Sequence, residues 1–210
     1  MRQRVIFVVL VMAAIISSPV KSQDLKRPLD ENRFPIADYA AAEPSDRGKK
    51  YDKSHWNIYP DTQYNVARTH ALDPTLPALP FAKSSAVIVG QITGAKAYLS
   101  NDKTGVYSVF TVQVDEVIKN STQLSLSTGS SIEVERDGGR VRFPSGRTLL
   151  YVATNMPQVG LRYVLFLTDS QILTGYELRE GKVYPLDDLP NLRTYENADE
   201  TTFLKQLHKN

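Results

Sequence analysis

The chain of 210 residues contains no cysteine. This excludes a disulfide framework, a thiolate metal site, a Cys-His nucleophile and the attachment cysteine of a lipoprotein. Histidine is scarce: His55, His70 and His208 are the three present, and none falls between residues 81 and 190. That stretch therefore holds no Ser-His-acid triad of its own, and the three spacings match no zinc signature. Long apolar runs are also few. The run from Val5 to Ile16 is 12 residues, short of the ~20 a helix needs to span a bilayer.

What that run does fit is a secretory leader. Arg2 and Arg4 precede it, and Pro19 and the small residue Ser22 follow, the order of a signal peptide. Residues 1–22 are expected to be removed on export, giving a secreted or periplasmic protein with no stable membrane insertion. A retained N-terminal anchor is the alternative. The segment carries Arg2, Arg4 and Lys21 and no acid, so its loss leaves 22 basic residues against 23 acids and takes the formal charge from +2 to −1. Nucleic acid, which is bound through clustered positive charge, is excluded as a general partner.

Residues 23–80 hold seven of the twelve prolines and the charge run "DRGKKYDK", so they read as an extended arm. Within it "SHWNIYPDTQY" carries Trp56, Tyr59 and Tyr64, which need cover from this protein's own domain or from a partner. Residues 51–80 are expected to run extended across the β-domain, their aromatics contributing to a binding surface. Residues 81–190 change texture to short β-branched and aromatic runs between turn residues. This pattern predicts an all-β domain, a small Greek-key (OB-like) barrel or a sandwich with added hairpins. Gly90 in "AVIVGQI" marks a bulge, and Val106, Ser108, Phe110, Val112 and Val114 share one face of a long strand. Residues 191–210 form a tail with a short amphipathic helix around Phe203, Leu204 and Leu207.

"IEVERDGGRVRFPSGR", residues 132–147, gathers four arginines around a glycine pair. A two-residue turn at Asp137-Gly138 would oppose Glu135 to Arg140, Glu133 to Arg142, Val134 to Val141 and Ile132 to Phe143, matching every pair. The stretch fails the P-loop spacing, and its second half, "PSGR", reads as a turn exposing Arg147. In "YELREGKVYP" a Glu180-Gly181 turn opposes Leu178 to Val183. Asp115 and Glu116, adjacent on a strand, point to opposite faces. Asp187 and Asp188 read as a strand-ending turn, Asn120-Ser121-Thr122 has the glycosylation pattern, and Ser145 lacks the G-x-S-x-G elbow.

The ordered set "SAVIVGQI", "YSVFTVQVDEVIKN", "GSSIEVERDGG", "GLRYVLFLT" and "ILTGYELREGKVYPLD", over roughly residues 80–188, resembles an uncharacterised family of exported bacterial proteins. More distantly it is similar to the netrin and metalloproteinase-inhibitor type of OB-fold domain, which implies a five-stranded Greek-key barrel. Inhibitors of that type chelate the protease zinc through an N-terminal cysteine, so the resemblance implies the fold and not that mechanism.

The sequence therefore points to an exported, non-catalytic binding or interaction module without a cofactor, its partner an envelope or extracellular protein or a glycan. The candidate surface is Trp56, Tyr59, Tyr64, Arg142 and Arg147. The alternative is an enzyme or enzyme-inhibiting domain using Arg142, Arg147, Asp115 and Glu116. Protein recovered after export should lack residues 1–22, and intact-mass measurement checks this: a mass that includes Met1 overturns the leader.

Overall fold

β-Branched and aromatic residues crowd residues 86–118 and form the two longest elements of the fold. In the computed structural model the described residues are 34–54, 58, 66–68, 73–121, 126–152 and 154–209. The expected leader and Trp56, Tyr59 and Tyr64 lie outside them. In chain order the elements are β1 (Ile36–Asp38), α1 (Asp46–Lys49), β2 (Val66–Arg68), β3 (Ala86–Leu99), β4 (Val106–Asn120), β5 (Ser131–Asp137), β6 (Gly139–Arg142), β7 (Thr148–Val152), β8 (Arg162–Thr168), β9 (Gln171–Arg179), β10 (Lys182–Pro185) and α2 (Glu200–Leu207). The all-β expectation holds, and the architecture is a barrel-like sandwich of two sheets.

β3 and β4 make one long antiparallel hairpin, from Leu99↔Val106 to Ala86↔Asn120. β4 buries Val106, Ser108, Phe110, Val112 and Val114, the face its alternation predicts. The register shifts at Val89/Gly90, where a Cβ on Gly90 would stand 2.6 Å from the Gln113 carbonyl oxygen. Only glycine admits that approach, and the strand bends there. β5 extends the hairpin antiparallel to β4, β8 pairs with the other edge of β3, and β9 folds back on β8. A parallel contact of β9 with β5 at Glu135↔Gln171 completes a ring in the order β3-β4-β5-β9-β8.

The hairpin expected at Asp137-Gly138 does not form. β5 pairs with β4 over seven residues, Tyr107↔Asp137 to Gln113↔Ser131, while β6 pairs with β7, Arg142 opposite Thr148, in the second sheet. Asp137-Gly138-Gly139 is the corner at which the chain changes sheets, with φ at +102° and +149° on the two glycines. The Val106 carbonyl and the Ser108 hydroxyl hold Gly138 there. A seven-residue ladder along a strand already in place outcompetes a local ribbon whose gain is on the order of 0.2–1 kcal/mol per matched pair. The turn read in "PSGR" does form, closing β6 onto β7 through the Gly146 N–H to Phe143 carbonyl bond at 2.9 Å. The arm supplies both flanks of this sheet: β1 lies parallel to β6 and β2 parallel to β7. It is not extended throughout, since α1 is a helical turn.

Two apolar clusters stand out among the described residues. One lies between the small sheet and the loop end of the long hairpin, and includes Ala37, Ile58, Leu99, Val106, Phe143 and Tyr151. The other lies where Val87 and Val89 of β3, Val164 and Phe166 of β8 and Tyr176 and Leu178 of β9 meet Leu192, Phe203 and Leu207. The carboxy-terminal helix forms as predicted, capped by Asp199, whose carboxylate accepts from Thr202 N–H at 2.9 Å. The Glu180-Gly181 hairpin forms in the predicted register, with Leu178 and Val183 paired and buried. Phe203 packs edge-on against Tyr176 and Tyr195. Phe203→Ala should lower the unfolding free energy by about 3–5 kcal/mol, measured by denaturant titration, while Leu204→Ala, half-buried, should cost much less.

Candidate functional site

The charge run in the arm folds into a docked strap. Ser45 caps α1 by accepting from the Gly48 N–H at 2.9 Å, and Gly48 is small enough to let the turn sit against Asn101. Asn101 then exchanges two hydrogen bonds with the Ser45 backbone, at 2.9 and 3.0 Å. Further along, the Lys53 N–H donates to Asp102 at 2.7 Å and the Ser54 N–H to the Thr104 hydroxyl at 3.0 Å. Desolvation alone would raise the Asp102 carboxyl. The donors of Lys53, Thr104 and Ser100 outweigh it and hold the group below the usual carboxylate range.

The strap delivers three side chains to β4 and β5. Arg47 spans Glu133 at 2.9 Å and Glu135 at 3.1 Å, and the Lys50 ammonium meets Glu135 at 3.1 Å. The Tyr51 hydroxyl donates to Glu135 at 2.7 Å while accepting from Gln171 at 3.3 Å. Its ring stacks on Tyr107 with centroids 4.1 Å apart, and Tyr107 stacks in turn on Tyr98 at 5.7 Å. Burial first, and the bond to Glu135 second, push the Tyr51 phenol far above its ordinary value. Glu135 is 4% exposed, and these cations and donors offset the cost of burying its carboxylate.

Strand alternation sends the next residue the other way. Arg136 donates through Nη2 to both oxygens of Asp187, at 2.8 and 2.6 Å, and through Nε to Thr154 at 2.6 Å. Thr174 donates to Asp187 at 2.8 Å. The two charged side chains are 3% and 0% exposed, and Nη1 of Arg136 has no acceptor among the described residues. Between the strap and the barrel opens a cleft of about 490 Å³, lined by Lys50, Tyr51, Glu135, Arg136, Thr154 and Gln171 among others.

The groups singled out in the sequence are not gathered there. Arg142 is exposed on β6, and Arg147, expected to be exposed, is half-buried in the turn before β7. Asp115 pairs with Arg162 at 2.8 Å, and Glu116 with His208 at 2.8 Å; the β3–β4 register skips Asp115 between Val114 and Glu116, so the strict alternation expected of this pair is interrupted by a bulge. The strap cleft is lined by none of these four, and a second cleft, of about 450 Å³ beside Phe81 and the end of α2, by Glu116 alone. Asp187 and Asp188 do lie beyond the last long strand, but they part company: Asp188 is exposed beside Arg193, and Asp187 is buried. Among the described residues no group of three His, Asp or Glu side chains is placed to hold a metal ion. The residues missed were Arg47, Tyr51, Glu135, Arg136 and Asp187. The available signal was the basic-aromatic run "RGKKY" in a proline-rich arm.

Asp187→Ala should cost about 3–5 kcal/mol in equilibrium unfolding, because it leaves the Arg136 guanidinium buried without a counter-charge. The joint replacement Arg136→Met with Asp187→Leu should recover most of that loss. In comparisons with known proteins, no family model, no curated protein and no solved structure matches this chain.

Proposed function

We propose that this chain is an exported, non-catalytic binding module of the cell envelope or extracellular space, engaging a protein or glycan through the strap-covered side of its barrel. The observation that carries the reading is the state of its charged groups. Glu135 is bound by Arg47, Lys50 and Tyr51, and Asp187 by Arg136 and Thr174. A general base or nucleophile must be within reach of a substrate atom and able to change its protonation or bonding; carboxylates held this way serve shape and recognition instead. The cleft beside them mixes apolar and hydrogen-bonding walls, the composition of a recognition site.

Export is supported by the leader pattern in residues 1–22. The ring order β3-β4-β5-β9-β8, in which the chain crosses over from β5 to β8 and closes through one parallel contact of β9 with β5, supports an OB-type Greek-key barrel. Barrels of that type bind through one face and its adjoining loops. Here β4, β5 and the 100–105 loop form the face that the strap covers.

The test is affinity capture from the native envelope fraction, with the mature protein and with Thr168→Trp, which fills the cleft from an exposed position. The wild-type chain should retain a protein or glycan that the variant retains at less than a tenth of the level. Equal recovery by both, or none by either, overturns the assignment of the contact surface.

A further inference from the structure

The strap and the groove beneath it are complementary in a way that a spacer does not require. Five consecutive residues, Arg47 to Tyr51, present two engaged cations and an aromatic ring; the barrel answers with Glu133, Glu135 and the face of Tyr107. Among the described residues both cations that neutralise Glu135 come from the strap and none from the barrel. The barrel therefore carries a buried carboxylate whose counter-charge is an appended segment. Such a carboxylate discriminates strongly for basic occupants, since an occupant lacking the cation leaves a desolvated charge unpaired. The ends of the strap are held by side-chain-to-backbone hydrogen bonds with the polar 100–105 loop, which water or a second chain can replace one by one.

We propose that the Glu133, Glu135 and Tyr107 groove is a recognition site for basic, tyrosine-bearing peptide segments, and that Arg47–Tyr51 is an occupant supplied in cis. A partner protein displaying the same chemistry competes with the strap for the groove. The inference rests on the binding-module reading and names its partner class. The strap also lowers the affinity the partner sees, by the fraction of molecules whose groove is open.

The experiment uses a fluorescent peptide with the sequence of residues 43–54 and the full mature chain, followed by anisotropy. Lys50→Ala with Tyr51→Ala should bind the peptide at least tenfold more tightly than the wild-type chain. Adding Glu135→Gln to that variant should reduce binding at least tenfold. Arg47→Ala, removing a half-exposed side chain, serves as a second release variant with an expected gain of at least threefold, and far-UV circular dichroism confirms that each variant is folded. A peptide with glutamate at the positions of Arg47 and Lys50 should not bind. Equal binding by wild-type and release variants, or binding unchanged by Glu135→Gln, overturns the proposal. Because the assay uses purified components, it gives its answer whether or not envelope capture recovers a partner.

Discussion

The N–H of Glu135 donates to the Ser170 carbonyl at 2.7 Å, and most of the architecture depends on that junction. It joins β5 to β9 at the single parallel contact that turns an open sheet into a ring. An open ring would leave strand edges able to pair with other chains. The same residue turns its side chain outward to anchor the strap, and its neighbour Arg136 turns the opposite way to hold Asp187 and the segment after β10. One dipeptide thus fixes barrel closure, the position of the amino-terminal arm and the path of the carboxy-terminal tail. The two ion systems differ in character. The Arg136 pair is fully enclosed, whereas the cations on Glu135 reach solvent.

How much of this could be read beforehand follows from the range over which each signal acts. The period-two alternation of Val106 to Val114, the bulge at Gly90, the Glu180-Gly181 hairpin and the Phe203, Leu204 and Leu207 stripe are local, and the structure has them as expected. The partner of β5 is not local. Glu133 and Glu135 complement Arg140 and Arg142 in a hairpin as well as they complement Arg47 and Lys50 in the fold, so pair chemistry could not choose. The choice was made by the unfilled edge of β4 and by the glycines that let the chain turn the corner. Likewise nothing near Arg136 in sequence announces Asp187, 51 residues away. Of the candidate binding residues, Trp56, Tyr59 and Tyr64 fall outside the described residues, while Arg142 and Arg147 belong to the small sheet and not to the strap groove.

The small sheet shows how an arm can become part of a domain without a core of its own. The β6–β7 hairpin has only four residue pairs, and an isolated two-stranded ribbon is marginal in water. β1 and β2 widen it to four strands, and Ala37 and Ile58 help cover the core beneath. Among the described residues the arm's prolines, Pro35, Pro44, Pro74, Pro77 and Pro80, lie outside β1 and β2, consistent with their inability to donate to a ladder.

The pairing of β1 with β6 has a consequence for the order of events during folding. Arg140 reaches back to the Phe34 carbonyl across 106 residues of chain, so the arm has no template until the sheet it joins has been synthesised and has turned its corner. Long-range closure of this kind is slow relative to the formation of neighbouring hairpins. A chain crossing a membrane unfolded would assemble its barrel from contiguous strands and seat the arm afterwards, and until then the groove over Tyr107 stands open. If the groove binds a partner as proposed, the speed of arm docking would set the time window in which it stands uncovered.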